Sequence, residues 1–427
     1  MKSLLTPLMC ALLAAPAFAQ EKPDTEKRPS ADQRIADLER RLDAMSRELE
    51  SQKTGSVMPA VPEEGRFGLG AGASKVYAVP SGLSIGGYGE FLYEDKAATL
   101  QDGTHVGTDK KADALRMVLY TGYKFNDRIV FNSEIEFEHG GYSDEHPEGE
   151  AIVEFAYLDF LLNKAINVRA GQMLVPMGFI NELHEPPAFL GARRPVVERT
   201  LIPATWHENG VGIHGDLPGN LTYRVYLMNG LDASKFSADG IRDGRQAGKE
   251  ANAQSLAWTG RLDWTPRPGI LLGGSFYTGN SNQTGTGAAL TTTVWDAHAE
   301  YRAQGFQVRG LYTRTTNTAG AVAALDVADP AREVGTKQWG GYLEAGYDLL
   351  RGSRQALIPY VRYERIDAQQ QVAAGVFADG SRDRTLLTTG VAYKPIPQVA
   401  VKADWTRDEN RAHTGRDQFS LALGYTF

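Results

Sequence analysis

The chain has 427 residues, a formal net charge of −7 and one cysteine, with 46 Gly, 18 Tyr and 16 Phe. Mild acidity argues against a nucleic-acid partner, and one cysteine cannot build a disulfide framework. Beyond the first residues no apolar run approaches the ~18 that a membrane-spanning helix needs. Length alone would allow about two or three soluble domains. Negative mean hydropathy with abundant Gly and aromatics also suits a transmembrane β-barrel, whose lumen-facing residues dilute its lipid-facing ones.

The chain opens on Met1-Lys2, followed by an apolar run over 4–15 that Thr6 and Pro7 interrupt. Ala17-Phe18-Ala19 is a small-x-small cleavage site, so 1–19 reads as a signal peptide and the mature chain is expected to begin at Gln20. Cys10 lies inside this signal. Met9 before it is not small, which argues against a lipoprotein site and predicts a mature chain free of thiols.

Residues 20–34 are charged and Pro-containing and read as disordered. Ile35, Leu38, Leu42, Met45, Leu49 and Gln52 then recur at the a and d positions of a heptad. A short periplasmic coiled coil is expected over 35–52, trimeric, with one solvated amphipathic helix as the alternative. Such a coil is too short to hold alone and gains from the high effective concentration of an attached oligomer. Residues 53–82, rich in Gly and Pro, read as a flexible linker. Gly68-Leu69-Gly70-Ala71-Gly72 within it is not a dinucleotide loop, since no strand precedes it and no helical pattern follows.

From Leu83 onward the sequence alternates in short segments. Strands are expected at 83–94, 112–124, 129–138, 151–162, 165–175, 208–216, 221–229 and 255–264. They continue at 270–278, 292–302, 306–315, 337–348, 355–366, 383–394, 399–406 and 417–427. Connections alternate short and long, as in outer-membrane barrels. The predicted fold is therefore all-β: a transmembrane antiparallel barrel of about 16 strands over 83–427, behind the short coiled-coil helix. An even strand number puts both barrel ends on the periplasmic side. The last segment shows the pattern best. Phe419, Leu421, Leu423, Tyr425 and Phe427 are large and apolar, while Ser420, Ala422, Gly424 and Thr426 between them are small or polar. A soluble protein seldom leaves such an edge open. Tyr93, Tyr123, Tyr157, Tyr223, Trp258, Trp264, Tyr301, Trp339, Tyr347, Tyr393, Trp405, Tyr425 and Phe427 lie near strand ends, where interfacial girdles are expected.

With the apolar parity facing lipid, the other parity lines a lumen. It carries Arg116, Arg169, Arg224, Arg261, Arg309, Arg362, Arg384 and Lys402, and also Glu90, Glu134, Glu136, Glu154, Asp263, Asp296, Glu300, Glu344, Glu364 and Asp404. Charges at membrane depth point to a wet interior rather than a packed apolar core. The longest connection, 176–207, holds Phe179, Ile180, Leu183, Phe189, Leu190, Val196, Val197, Leu201 and Ile202. A loop so apolar should fold into the barrel and narrow it. Arg193, Arg194 and Arg199 would then face the constriction, with Glu182, Glu185 and Glu198 close by in sequence. Bracing of the loop through salt bridges to barrel acids is the alternative role for these arginines.

The run from Gly171-Gln172 through His184-Glu185-Pro186-Pro187, Arg193-Arg194-Pro195, Val197-Glu198-Arg199 and His207-Glu208-Asn209-Gly210-Val211-Gly212 resembles the phosphate-selective porin O and P family. The resemblance is strongest over about 160–230, and strand rhythm alone carries it elsewhere. It implies a trimeric sixteen-stranded porin that passes anions, with the family's inward loop on 176–207 and its arginines on Arg193, Arg194 and Arg199.

Signs of catalysis or metal chemistry are missing. His184-Glu185 and His207-Glu208 each lack the second His of a zinc helix. The acidic run Asp144, Glu145, Glu148 and Glu150 reads as a solvated loop more than as a cation bridge to lipopolysaccharide. The expectation is a non-enzymatic homotrimer in the outer membrane, without cofactor or resident metal, surrounded by lipid and lipopolysaccharide. It would pass small hydrophilic solutes, anions such as phosphate or organic acids among them. A structural barrel with a periplasmic spacer coil is the alternative, and a barrel enzyme a third.

Overall fold

The computed structural model describes residues 31–57, 65–141, 149–328 and 332–427. The signal peptide, most of the segment expected to be disordered, and Asp144, Glu145 and Glu148 of the acidic loop lie outside them. Glu150 is described and pairs with Lys249 at 2.7 Å.

Helix α1 spans Ala31–Val57, longer at both ends than the heptad pattern over 35–52. Ile35, Leu38, Leu42 and Met45 are each more than half exposed on this single chain. Their shared face is therefore an unpartnered apolar stripe.

The remaining chain builds a closed barrel of sixteen antiparallel strands, in which each strand pairs with its sequence neighbours and β1 closes on β16. The strands are β1 Gly82–Lys96, β2 Asp109–Asn126, β3 Ile129–Glu138, β4 Glu150–Phe160, β5 Asn167–Leu174, β6 His207–Leu217, β7 Leu221–Asn229, β8 Leu256–Arg267, β9 Ile270–Asn280, β10 Thr291–Ala303, β11 Phe306–Asn317, β12 Lys337–Tyr347, β13 Ala356–Gln371, β14 Asp383–Ile396, β15 Val399–Asn410 and β16 Gln418–Thr426. Every expected strand is present. Several run a few residues further into the long connections, because backbone pairing continues past the lipid-facing alternation.

Closure removes the open edge that β16 would otherwise present. Tyr88 stands opposite Thr426, and Lys96 opposite Gln418. On β16, Leu421 and Leu423 face outward, whereas Ser420, Ala422 and Gly424 face the lumen and are buried. The same alternation leaves Trp258, Trp264, Phe276, Trp295, Leu343, Val361, Tyr363 and Trp405 on the outer surface. A belt of this kind is stable in hydrocarbon and would aggregate in water.

One girdle residue is reassigned. Tyr157 is 2% exposed and faces inward. In the β3–β4 ladder Glu134 opposes Phe155 and Ile135 opposes Val153, so Glu154 is an extra, bulged residue. The bulge shifts the parity of everything after it. Glu154 and Phe155 both point inward, followed by Tyr157 and Asp159.

The expected linker over 53–82 is ordered where it is described. Leu69, Ala73, Val76, Tyr77 and Val79 are buried. Tyr77 donates to Asp159 at 2.7 Å, and Asn132 donates to the Ala73 carbonyl at 2.9 Å. The segment lies along the lumen side of the first strands rather than in solvent. Its glycines permit the approach: a Cβ at Gly70 would run into the Glu185 side chain, and one at Gly72 into Thr426 and Glu185.

Leu421→Arg places a charge on the outward face and is expected to destabilise the barrel by roughly 2–4 kcal/mol if that face sits at the bilayer midplane. Ser420→Arg, one residue along and lumen-facing, should escape that lipid-side penalty. Reversible denaturant unfolding in lipid vesicles checks the pair, and equal costs would place both faces in protein or water.

Candidate functional site

The connection between β5 and β6, residues 175–206, turns into the barrel as the sequence suggested. It contains a 3-10 turn at Pro186–Ala188 and the short helix α2, Val197–Thr200. Met177, Phe179, Ile180, Phe189, Leu201, Ile202 and Trp206 are buried. They join Leu69, Val76, Tyr88, Tyr120, Phe155 and Tyr277 in one apolar cluster. The interior is therefore part packed core and part charge, not a lumen wet throughout. A barrel this wide cannot fill itself from its wall, so the loop and the N-terminal segment supply the filling.

Charged side chains of the wall hold the loop backbone. Lys402 donates to the carbonyls of Pro186 at 2.7 Å and Gly191 at 2.9 Å, with its ammonium 3.6 Å from the centre of the Phe189 ring. Lys394 donates to the Pro187 carbonyl at 2.7 Å, Arg309 to that of Ala188 at 3.3 Å, and Arg261 to that of Gly178. Carboxylates take the amides. Asp296 accepts from Gly178 at 3.1 Å, Asp404 from Ala192 at 2.6 Å, and Glu364 from Val197 at 3.1 Å. Within the loop, Glu198 accepts from Phe179 and Ile180, each at 2.7 Å.

Lumen cations are also paired with one another's acids. Arg116 contacts Glu90, Glu136 and Glu138 at 3.2–3.3 Å. Arg169 pairs with Asp159 at 2.9 Å, and Arg224 with Asp263 at 2.8 Å and Glu182 at 3.2 Å. Arg261 also pairs with Asp263, Arg309 with Glu300, and Arg362 with Glu344 and Glu364. Arg384 pairs with Asp408 at 2.6 Å. The basic residues among them face inward as the alternation predicts, but as ion pairs and loop anchors rather than as a free basic row.

The five residues expected at the constriction divide in two. Glu182, Glu185 and Arg194 are buried. Glu182 sits between Arg224 and Arg261, and Glu185 accepts from the amides of Gly72 and Ala73 at 3.2 and 3.1 Å. Burial pushes the Glu185 carboxyl up, and those two amides oppose the shift. Arg194 donates to the His184 carbonyl at 3.2 Å. Arg193 and Arg199 remain partly accessible. Arg193 forms a two-pronged pair with Glu94, and Arg199 leaves Nε without a partner.

Two further elements close over this region. In the connection 230–255, Arg242 and Arg245 donate to the Arg199 and Ala204 carbonyls at 2.9 and 2.7 Å. Asp239 from the same connection pairs with Arg382 of the β13–β14 connection. A cavity of about 240 Å3 beside them is lined by Thr200, Asp239, Arg382, Arg384, Asp408 and Arg416 among others. A second, of about 450 Å3, lies between the N-terminal segment and β6–β7, against Phe67, His214 and Arg224. The N-terminal contact is not legible in the sequence, because a Gly-rich stretch reads alike whether it is solvated or pressed against a neighbour.

An uncharacterized protein of Aquifex aeolicus (strain VF5) is 35% identical over 372 residues, covering 84% of this chain and 83% of that protein. The chain belongs to the same family as this Aquifex protein. No family model matches it. Salmonella typhi OmpF, solved in complex with daunomycin, is 12% identical with a TM-score of 0.56, over 82% of this chain and 98% of that one. An anion-selective porin from Comamonas acidovorans is 10% identical with a TM-score of 0.53, over 81% of this chain and 100% of that one. At such identities the likeness is one of fold: a porin-like barrel.

Lys402→Met removes the donor to two buried carbonyls and is expected to loosen the loop by about 2 kcal/mol, a roughly 30-fold rise in its opening. Trypsin cleavage after Arg193 and Arg199 in the folded barrel measures that opening. An unchanged cleavage rate would mean that Lys402 does not hold the loop.

Proposed function

We propose that the protein is an outer-membrane porin for passive diffusion of small hydrophilic solutes, favouring small anions such as phosphate or organic acids. The observation that carries the reading is a loop held across a charged, sixteen-stranded barrel, with Arg193 and Arg199 as its partly accessible cations. A loop tethered to so many strands narrows the lumen, which suits small solutes. Cations at the narrowest part of a low-dielectric passage favour anions. The resemblance to the phosphate-selective porin O and P family and the likeness to an anion-selective porin support the same preference. The outward apolar belt supports a bilayer location, and the even strand number supports a periplasmic N-terminus.

We further read the protein as a homotrimer, with the exposed Ile35, Leu38, Leu42 and Met45 stripe of α1 as the seam of a three-stranded coil. Leu38→Asp/Leu42→Asp should weaken the trimer in mild detergent, as read by analytical ultracentrifugation. An undiminished trimer would place assembly in the barrel alone.

A structural barrel with a spacer coil is the second reading, favoured by the N-terminal segment packed into the lumen. Single-channel recording separates the two. The porin reading expects small, anion-preferring steps, with a reversal potential in a KCl gradient that shifts toward cations in Arg193→Ala/Arg199→Ala. Gly72→Val, which disturbs the seat of the N-terminal segment, should enlarge the steps. Folded protein that is silent in both wild type and Gly72→Val favours the structural reading.

A further inference from the structure

Three ligand-capable side chains meet deep in the lumen, away from the partly accessible arginines. Glu134 on β3 and Glu154 on β4 are 0% exposed, and His184 on the inward loop is 2% exposed. His184 Nε2 lies 3.1 Å from Glu134 Oε1 and 3.5 Å from Glu154 Oε2. One ligand atom from each of the three falls within 4.8 Å of the others.

Several buried oxygens of this group have no hydrogen-bond partner among the described residues. His184 Nδ1 is 2.9 Å from the Asn181 carbonyl, which has no proton to give. Nδ1 is therefore an N–H, and Nε2 faces the two carboxylates. Both oxygens of Glu154, and Oε2 of Glu134, are buried with no hydrogen-bond donor. Arg116 is taken up by Glu90, Glu136 and Glu138. Arg194 uses one nitrogen on the His184 carbonyl and leaves Nε unpaired, with no ion pair to Glu134 or Glu154 among the described residues. Tyr88, packed edge-on against His184, also keeps its hydroxyl unpartnered. Stranded acceptors of this kind call for a cation.

We propose that Glu134, Glu154 and His184 bind one divalent transition-metal ion of the zinc class, which clasps the inward loop to the barrel wall. The two His184–carboxylate separations suit that ion: bonds of ~2.0–2.2 Å in a tetrahedron put ligand atoms roughly 3.3–3.6 Å apart. The imidazole argues against calcium or magnesium, which take oxygen ligands. The Asn181 carbonyl holds the ring in the tautomer that a metal needs, as outer partners of metal-bound histidines do. The unpartnered, fully buried oxygens of Glu134 and Glu154 are a second, independent sign. The sequence showed no such site, because its ligands come from two neighbouring strands and a distant loop.

The test uses the full chain, stripped of metal with a chelator, folded in detergent, and titrated with Zn2+ alone. About one Zn2+ per chain should remain after gel filtration, counted by elemental analysis, and Co2+ in its place should give the visible absorption of a four-coordinate site. Glu154→Gln, nearly isosteric, and His184→Ala should each weaken retention at least tenfold, while His413→Ala, on an outer loop, should not. Heat-modifiable migration on gels confirms that each barrel is folded, and Glu154→Gln stands alone if His184→Ala does not fold. No retained Zn2+ in folded wild type would overturn the site in favour of protons shared among Glu134, Glu136 and Glu154. Retention that Glu154→Gln leaves unchanged would overturn it in favour of adventitious surface binding. Neither result depends on whether the barrel conducts.

Discussion

A loop folded into a barrel lumen carries its backbone amides and carbonyls away from bulk water, and each must find a partner. This constraint organises the interior. Every unpaired group would cost about 1–3 kcal/mol, and residues 175–206 have little secondary structure with which to pair internally. The wall answers with side chains of matching polarity. Lys394, Lys402, Arg261 and Arg309 meet carbonyls, while Asp296, Glu364 and Asp404 meet amides. Both signs of charge line the wall because a peptide backbone presents both kinds of group.

The same constraint explains the density of ion pairs. A lysine or arginine buried beside a carbonyl still carries a net charge that needs an opposite one nearby. Arg309 contacts Ala188 and is neutralised by Glu300, and Arg362 reaches the Arg193 carbonyl from between Glu344 and Glu364. Breaking such a pair on one side leaves an uncompensated charge, at roughly 3–5 kcal/mol. The lumen is therefore a rigid scaffold for the loop, and mobility is to be sought where these tethers are sparse.

How far the sequence discloses this depends on the range of the interaction. Strand alternation is local, so all sixteen strands and the inward face of Arg116, Arg224 and Arg362 could be read from it. The inward loop was legible because Phe179, Ile180 and Leu201 would be costly in water. What could not be read was pairing between distant segments. Nothing near Gly70 signals Glu185, and nothing near Glu154 signals an extra residue, because a bulge shows itself in the partner strand's count. Tyr157 was misplaced for that reason alone.

Because so many lumen charges are committed to the loop or to each other, net wall charge is a poor guide to what could pass. Selectivity in a porin of this build would rest on charges that keep an accessible side. Arg193 is held by Glu94 yet remains partly exposed, and Arg199 is partly exposed with its own carbonyl gripped by Arg242. Both sit on a loop whose backbone the wall tethers, so Arg199 is positioned without an ion pair of its own to a wall acid among the described residues, whereas Arg193 is braced by Glu94. A few cations placed this way in a narrow, low-dielectric passage act on a solute more strongly than a larger number neutralised in pairs.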